Sequence, residues 1–196
     1  MATPTFPQTQ HFYRLVEEGK ITAENFQTFL GNPNKFFEEN GYPVSVDYEK
    51  SLGDMIAAGK YDWKNDDITV NNFPIERPNL MAEGPYRTPG VNGTADVKLR
   101  LIHFGRVVTM AQAAEEIAAL GLEPAKIEHL LAFGAKYPDK QREFPIIALG
   151  SVWVHSGGRR GVPCLGGDGS KRDLFLSWYD PSDGWDGRCR FLVVSK

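Results

Sequence analysis

The stretch that decides the fold runs from Pro145 to Lys196: PIIALGSVWVH (145–155), RRGVPCLGG (159–167), DLFLSWYD (173–180) and RCRFLVVSK (188–196), parted by turns rich in Gly, Asp, Ser and Pro. Four apolar runs at this spacing predict a sheet of short strands. Within Asp173–Tyr179 two kinds of residue alternate. Side chains of a strand point alternately to its two faces, so Leu174, Leu176 and Trp178 share one face and are expected in the core. Asp173, Phe175, Ser177 and Tyr179 share the other, a mixed set expected to form a contact surface. Such a strand, rigid on one side and chemically varied on the other, suits a binding face.

Working back from that sheet, Pro124 stands before a helix with Ile127, Leu130 and Leu131 on its apolar side, ending before Pro138. Thr109 and Gln112 spell a capping box for an earlier helix carrying Ala113, Ala114, Ile117 and Leu120 and stopped by Gly121. Val97, Leu99 and Leu101 alternate with Lys98 and Arg100, as in a half-buried strand. Glu76–Asp96 is dense in Pro and Gly and has no periodicity, which marks a linker. Ahead of it Thr22 caps a helix with Phe26, Phe29 and Leu30, and Ser51 with Asp54 opens another that ends at Gly59. The expected organisation is a helical module over residues 1–76, a linker over 77–96 and an α+β domain over 97–196.

Bulk properties narrow the function. The chain has 196 residues, 41% hydrophobic and 12% aromatic, enough to build a core and too apolar for disorder. A net charge of −3 argues against general attraction to nucleic acid or anionic membranes. No apolar run approaches the roughly 18 residues that span a bilayer, and the opening MATPTFPQTQHFYRLVEEGK is no classical secretion signal. A cytoplasmic protein is expected, or one exported to a surface or virion by a route that leaves no N-terminal mark.

No catalytic pattern emerges. His11, His103, His129 and His155 are scattered without metal-binding spacing, and there is no G-x-S-x-G elbow. Gly166–Lys171 lacks the phosphate-loop spacing and leads into a strand, so it reads as a glycine-rich hairpin turn. Arg159, Arg160, Lys171 and Arg172 read as a basic, solvated group beside Trp153 and His155. Cys164 and Cys189 are expected in one sheet, as two buried thiols or as a bridge. Asp180, Asp183 and Asp186 supply too few oxygens for calcium and suit turn formation. Neither a metal nor another cofactor is expected.

The order strand, helix, helix, strands, with the last strand returning near the first, resembles the C-type lectin fold. AAEEIAALGLEPAKIEHLLAFG (113–134) looks like the two-helix passage of those domains, and GWDGRCRFLVVSK (184–196) is similar to their ending, with Trp185, Asp186, Cys189 and Phe191 in the matching roles. The resemblance covers about the last hundred residues. It implies that Cys164 and Cys189 stand like the inner cysteine pair. The calcium-binding Glu-Pro-Asn or Gln-Pro-Asp segment is missing, and Gly187 replaces the second acid of Trp-Asn-Asp.

Within that fold, ALGSVW and RFLVV look most like uncharacterised bacterial proteins and the variable proteins of diversity-generating retroelements, whose lectin-fold surface residues are rewritten by adenine-targeted mutagenesis. The resemblance implies a non-enzymatic recognition protein with a protein ligand. His155, Arg159, Asp173, Phe175, Ser177, Tyr179, Asp180, Asp183 and Asp186 are the candidate ligand-binding residues. Formylglycine-generating enzymes share a lectin-like fold and bind copper through two cysteines, for which Cys164 and Cys189 are the candidates. Those enzymes are considerably longer.

Overall fold

Strand β11 (Arg190–Ser195) organises the sheet, because both of its edges are taken. Along one edge it pairs antiparallel with β3 (Thr94–Ile102), in the register Phe191 to Ile102 through Val194 to Leu99. The other edge is shared. Arg190 and Phe191 run parallel to β6 (Ile146–Ile147), and Val193–Ser195 run antiparallel to β5 (Leu122–Pro124).

The computed structural model describes residues 22–32, 41–76, 93–180 and 183–195. They form a mixed α+β structure. The main sheet has nine strands, in the order β1 (Tyr42–Asp47), β3, β11, β6, β8 (Arg160–Gly167), β9 (Arg172–Tyr179) and β2 (Trp63–Lys64). Strand β7 (Trp153–Val154) adds to β8 beside β6. A two-stranded sheet joins β4 (Val108–Thr109) to β10 (Gly184–Trp185).

The chain divides into two compact units, residues 1–41 and 42–196. The boundary expected at residues 77–96 is therefore corrected. Residues 42–76 belong with the sheet, since β1 pairs with β3 and β2 with β9. Tyr42, Val44 and Val46 are buried while Pro43 and Ser45 are exposed, a strand pattern that the helical reading of this half passed over. Residues 77–92 of the expected linker lie outside the described residues, and Thr94–Asp96 open β3. In the first unit, α1 (Ala23–Gly31) follows Thr22 as expected, with Leu30 exposed. The side chain of Phe29, and Pro33, fall outside the described residues.

Cap chemistry places the helices of the second unit. Ser51 Oγ accepts from Asp54 N–H at 3.1 Å and starts α2 (Leu52–Gly59). Thr109 and Gln112 complete the expected capping box of α3 (Met110–Ala119), and Gly121 follows it at φ 70°. The next helix, α4 (Ile127–Lys136), borrows Ser151 Oγ as acceptor for Ile127 N–H at 2.9 Å. Pro124 lies in β5, ahead of that helix. A single turn, α5 (Lys140–Glu143), leads into β6.

The sheet is covered on both faces. On one, α4 packs against β1, β8 and α2. There Tyr42 meets Phe133 and Tyr137 edge-on at 5.2 Å, close to fully buried Leu130 and Leu131 on the same helix. A Cβ at Gly134 would lie 2.4 Å from Tyr61 Oη and 2.8 Å from Leu165 Cδ1, so α4 approaches the sheet only because position 134 is bare. Gly134→Ala should cost about 1–2 kcal/mol by overpacking, read from urea melts. Wild-type stability in that variant would show that Tyr61 yields freely. On the other face α3 contributes Ala113 and Ile117 to a core with Val108, Val162, Cys164, Tyr179, Trp185, Phe191 and Val193.

The two faces of β9 differ from expectation for this reason. Leu174 and Leu176 are buried as expected, but Tyr179 is buried as well, at 3% exposure, and Phe175 packs against the same core. Trp178, expected inside, is half-exposed. Alternation marks two unlike faces and does not tell which of them a distant helix will cover.

Arg172 is a further correction. It is buried rather than solvated. Its guanidinium donates to Gly59 O (2.7 Å), Gly134 O (2.7 Å), Pro138 O (3.0 Å) and Gln141 Oε1 (3.0 Å), and lies over the Tyr61 ring. Gly59 and Gly134 are last-turn residues of α2 and α4, whose carbonyls carry the negative ends of the helix dipoles. The residue four beyond Gly134 is Pro138, which has no N–H, and Arg172 supplies the missing donor.

Candidate binding platform

The β7–β8 hairpin turns through His155–Arg159. His155 N–H donates to Arg159 O (2.9 Å), Gly158 N–H to His155 O (2.8 Å), and Gly157 N–H to His155 Nδ1 (3.1 Å). Gly158 sits at φ 85°, where an L side chain is strained. Three closures within five residues hold the turn in one shape.

Register then builds a platform. Trp153 on β7 faces Gly161 on β8, which faces Trp178 on β9. With no side chain between them, the two indole rings meet across the glycine at 5.4 Å between centroids, tilted by 56°. A Cβ at position 161 would stand 3.3 Å from the Trp178 ring, so glycine is what lets the rings close. The His155 ring meets both indoles edge-on, at 5.5 Å from Trp153 and 6.0 Å from Trp178. Arg159 places its guanidinium carbon 5.4 Å from the Trp178 centroid. Buried Phe73 backs Trp153 from below, at 6.4 Å. Both tryptophans are half-exposed, and His155 and Arg159 are exposed.

Of the sequence-derived candidates, the structure brings His155 and Arg159 together here. Phe175, Ser177 and Tyr179 point the other way, into the core under α3. Ser177 Oγ accepts from Trp185 Nε1 at 3.0 Å, the Tyr179 hydroxyl donates to Met110 Sδ, and the Tyr179 ring lies 5.2 Å from that of Trp185. Their reading as an exposed face is corrected, because α3 and the β4–β10 pair occupy the space it needed. Asp173 is half-buried at the other end of β9, and its Oδ1 has no hydrogen-bond partner among the described residues.

Asp180, Asp183 and Asp186 lie on exposed loops. Asp183 Oδ2 accepts from Asp180 N–H at 2.9 Å, forming a turn, and Asp186 pairs with Arg188 at 2.8 Å. Hydrogen bonds from the Arg188 side chain hold the Asp186 carboxyl below its usual range. Asp180 follows Tyr179, whose register partner is Arg160, so it stands at the platform end of the sheet. No group of three or more His, Cys, Asp or Glu among the described residues is placed to hold a metal.

Sequence reasoning missed Trp178, assigned to the core by alternation, and left Trp153 as a neighbour of the basic group. The available signal was Gly161, a bare position inside a strand, which marks a close approach. Cys164 and Cys189 are free and buried in one core. Burial pushes both thiols up, Cys189 to about 11, which leaves them protonated and poorly nucleophilic at neutral pH. The Gly166–Lys171 segment is a hairpin turn closed by Asp168 Oδ1, which accepts from Ser170 N–H, Ser170 Oγ–H and Lys171 N–H. Those bonds pull the Asp168 carboxyl down to about 2 and occupy the Ser170 and Lys171 amides.

No helix among the described residues is long and apolar enough to cross a membrane. No protein-family model matches the chain, and no curated protein or solved structure shows significant similarity to it.

Proposed function

We propose that this is a non-enzymatic recognition protein whose binding face is the Trp153–Trp178 platform, with His155 and Arg159 as its polar rim, and whose ligand is a protein segment bearing a carboxylate. One observation carries the reading: two tryptophans are held half-exposed on a three-strand frame, their rings meeting across Gly161 beside a turn closed by three hydrogen bonds. Tryptophan and arginine are the residues that dominate protein interfaces, and a rigid frame spares the entropy of ordering them. A cation against an indole also favours an acidic partner.

The C-type lectin reading of the scaffold draws support from the antiparallel pairing of β3 with β11 and from α3 and α4 lying between them in the chain. Under the retroelement version of this reading, varied positions belong in the turns, at His155, Arg159, Asp180, Asp183 and Asp186. Burial of Tyr179 and Phe175 against the core leaves little freedom there. A near-copy of the DNA for residues 150–190, differing at adenines and lying beside a reverse transcriptase gene, would support that version.

The platform is tested by selecting peptides from a random displayed library against the wild-type chain and measuring their Kd for Trp178→Ala and Arg159→Glu. Loss of the indole or reversal of the rim charge should weaken binding at least tenfold, or about 1.4 kcal/mol. Arg159 is exposed, so its variant should melt like wild type. Selected peptides that bind both variants as tightly as wild type would place the binding face elsewhere.

A further inference from the structure

A second site lies at the opposite end of β8 and β9, away from the platform. A cleft of about 490 Å³ is lined by His103, Arg142, Glu143, Phe144, Arg188 and Arg190, with the backbone of Gly167 and Gly187. Three guanidinium groups and one carboxylate line it, and that carboxylate, Glu143, is engaged by Lys140 at 3.1 Å; outside the lining, Asp186 and Asp139 pair with Arg188 and Arg142.

Each arginine comes from a different element and is held by its own contacts. Arg142 on α5 donates through Nη1 to Asp168 O (3.1 Å) and Lys171 O (3.4 Å), while its Nε faces Asp139 at 3.6 Å. Arg188 on the loop before β11 grips Asp186 through Nε and Nη2 (3.3 and 2.8 Å). Arg190 on β11 lies 4.5 Å from the centroid of Phe144 and donates to Arg188 O at 3.0 Å. The loop itself is pinned, since His103 Nε2 bonds Gly187 O at 2.6 Å and a Cβ at Gly187 would lie 3.0 Å from Gly105 C.

After these bonds, Arg142 Nη2 and Arg188 Nη1 have no acceptor among the described residues. The planar guanidinium presents paired N–H donors that can engage two oxygens of a tetrahedral phosphate at once. We propose that this cleft binds a phosphate group, as inorganic phosphate or as a small phosphate monoester. Arg142 and Arg188 donate to its oxygens, and Arg190, which lines the same cleft, adds positive charge. The glycine turn beside it is given no part, because Asp168 already engages the Ser170 and Lys171 amides.

The full chain, labelled with nitrogen-15, is titrated with potassium phosphate and, separately, with potassium chloride at matched ionic strength, following arginine Nε–H and backbone signals of residues 187–190 by NMR. Saturable shifts with phosphate, no saturation with chloride, and at least tenfold weaker binding in Arg188→Ala are expected. Arg188 is exposed, so that variant should keep the wild-type spectrum elsewhere. A parallel titration with phenyl phosphate separates the sources: tighter binding than inorganic phosphate assigns the cleft to monoesters, and equal binding assigns it to the free anion. Equal responses to phosphate and chloride, or unchanged affinity in both Arg188→Ala and Arg142→Gln, would overturn the proposal.

Discussion

Arg172→Met should cost about 3–5 kcal/mol and leave the sheet unit largely unfolded at 37 °C. The loss has little to do with packing volume, since methionine fills similar space. It removes the donors for Gly59 O, Gly134 O, Pro138 O and Gln141 Oε1 in a buried setting. A buried acceptor stripped of its partner costs about 1–3 kcal/mol, and relaxation recovers part of the sum. The guanidinium has no carboxylate among those partners, and the last turns of α2 and α4 offset its desolvation through their dipoles. Arg172→Lys keeps the charge but cannot spread donors over four acceptors, and should recover less than half the loss. Urea melts of the three proteins measure this. A methionine variant within about 1 kcal/mol of wild type would mean that water replaces the guanidinium at no cost.

The second large effect is hidden in the wild type and appears only when a neighbouring pair is split. Glu128 is 1% exposed and its Oε2 has no hydrogen-bond partner among the described residues. Burial pushes its carboxyl up to about 7, with Lys126 opposing and Glu76 adding to the rise. His129, next in the chain, accepts Lys126 N–H at Nδ1 (3.1 Å) and meets the Tyr48 hydroxyl at Nε2 (3.2 Å), so a proton on Nδ1 would break the cap of α4. Burial, and Lys126 beside it, lower His129 to about 4.

The raised Glu128 contributes stability that is complete below about 4.5 and lost as pH rises to about 7. The lowered His129 contributes stability that is complete above about 6.5 and lost as pH falls to about 4. Between about 4.5 and 6.5 the slopes oppose and cancel, each worth about 2–3 kcal/mol across the window. Wild-type stability should thus be nearly flat from pH 5 to 6. Glu128→Gln should lose stability steadily below about 6.5, and His129→Gln should lose it as pH rises from about 4.5 to 7. Denaturation midpoints at four pH values settle the matter, and a flat profile in either variant would sink it.

What was legible in the chain follows from the range over which each signal acts. Ser51, Thr109 and Gln112 declared their helices because a cap is completed within three residues. Tyr42, Val44 and Val46 alternate plainly, yet were absorbed into a half read as helical. Strand β2 is only two residues long and pairs in parallel with a segment more than a hundred positions away, so no local period could reveal it. The partners of Arg172 come from three distant segments, and no spacing rule encodes them. At the platform, His155 and Arg159 were visible as polar residues in a glycine turn, whereas Trp178 needed the knowledge that Gly161 lies beside it.

The divided edge of β11 bears on how the molecule comes to be made. Synthesis proceeds from the N-terminus, so β1 and β3 emerge first, and β6, β8 and β9 follow. Among the described strands nothing joins these two groups within the sheet until β11 pairs with both. During translation each group presents an open edge to the crowded cell for as long as the ribosome needs to reach residue 195. Closing loops of this span is slow, and unpaired edges invite mispairing with other chains. Yield in the cell should therefore respond to chaperone supply and translation speed far more than the stability of the finished protein would suggest.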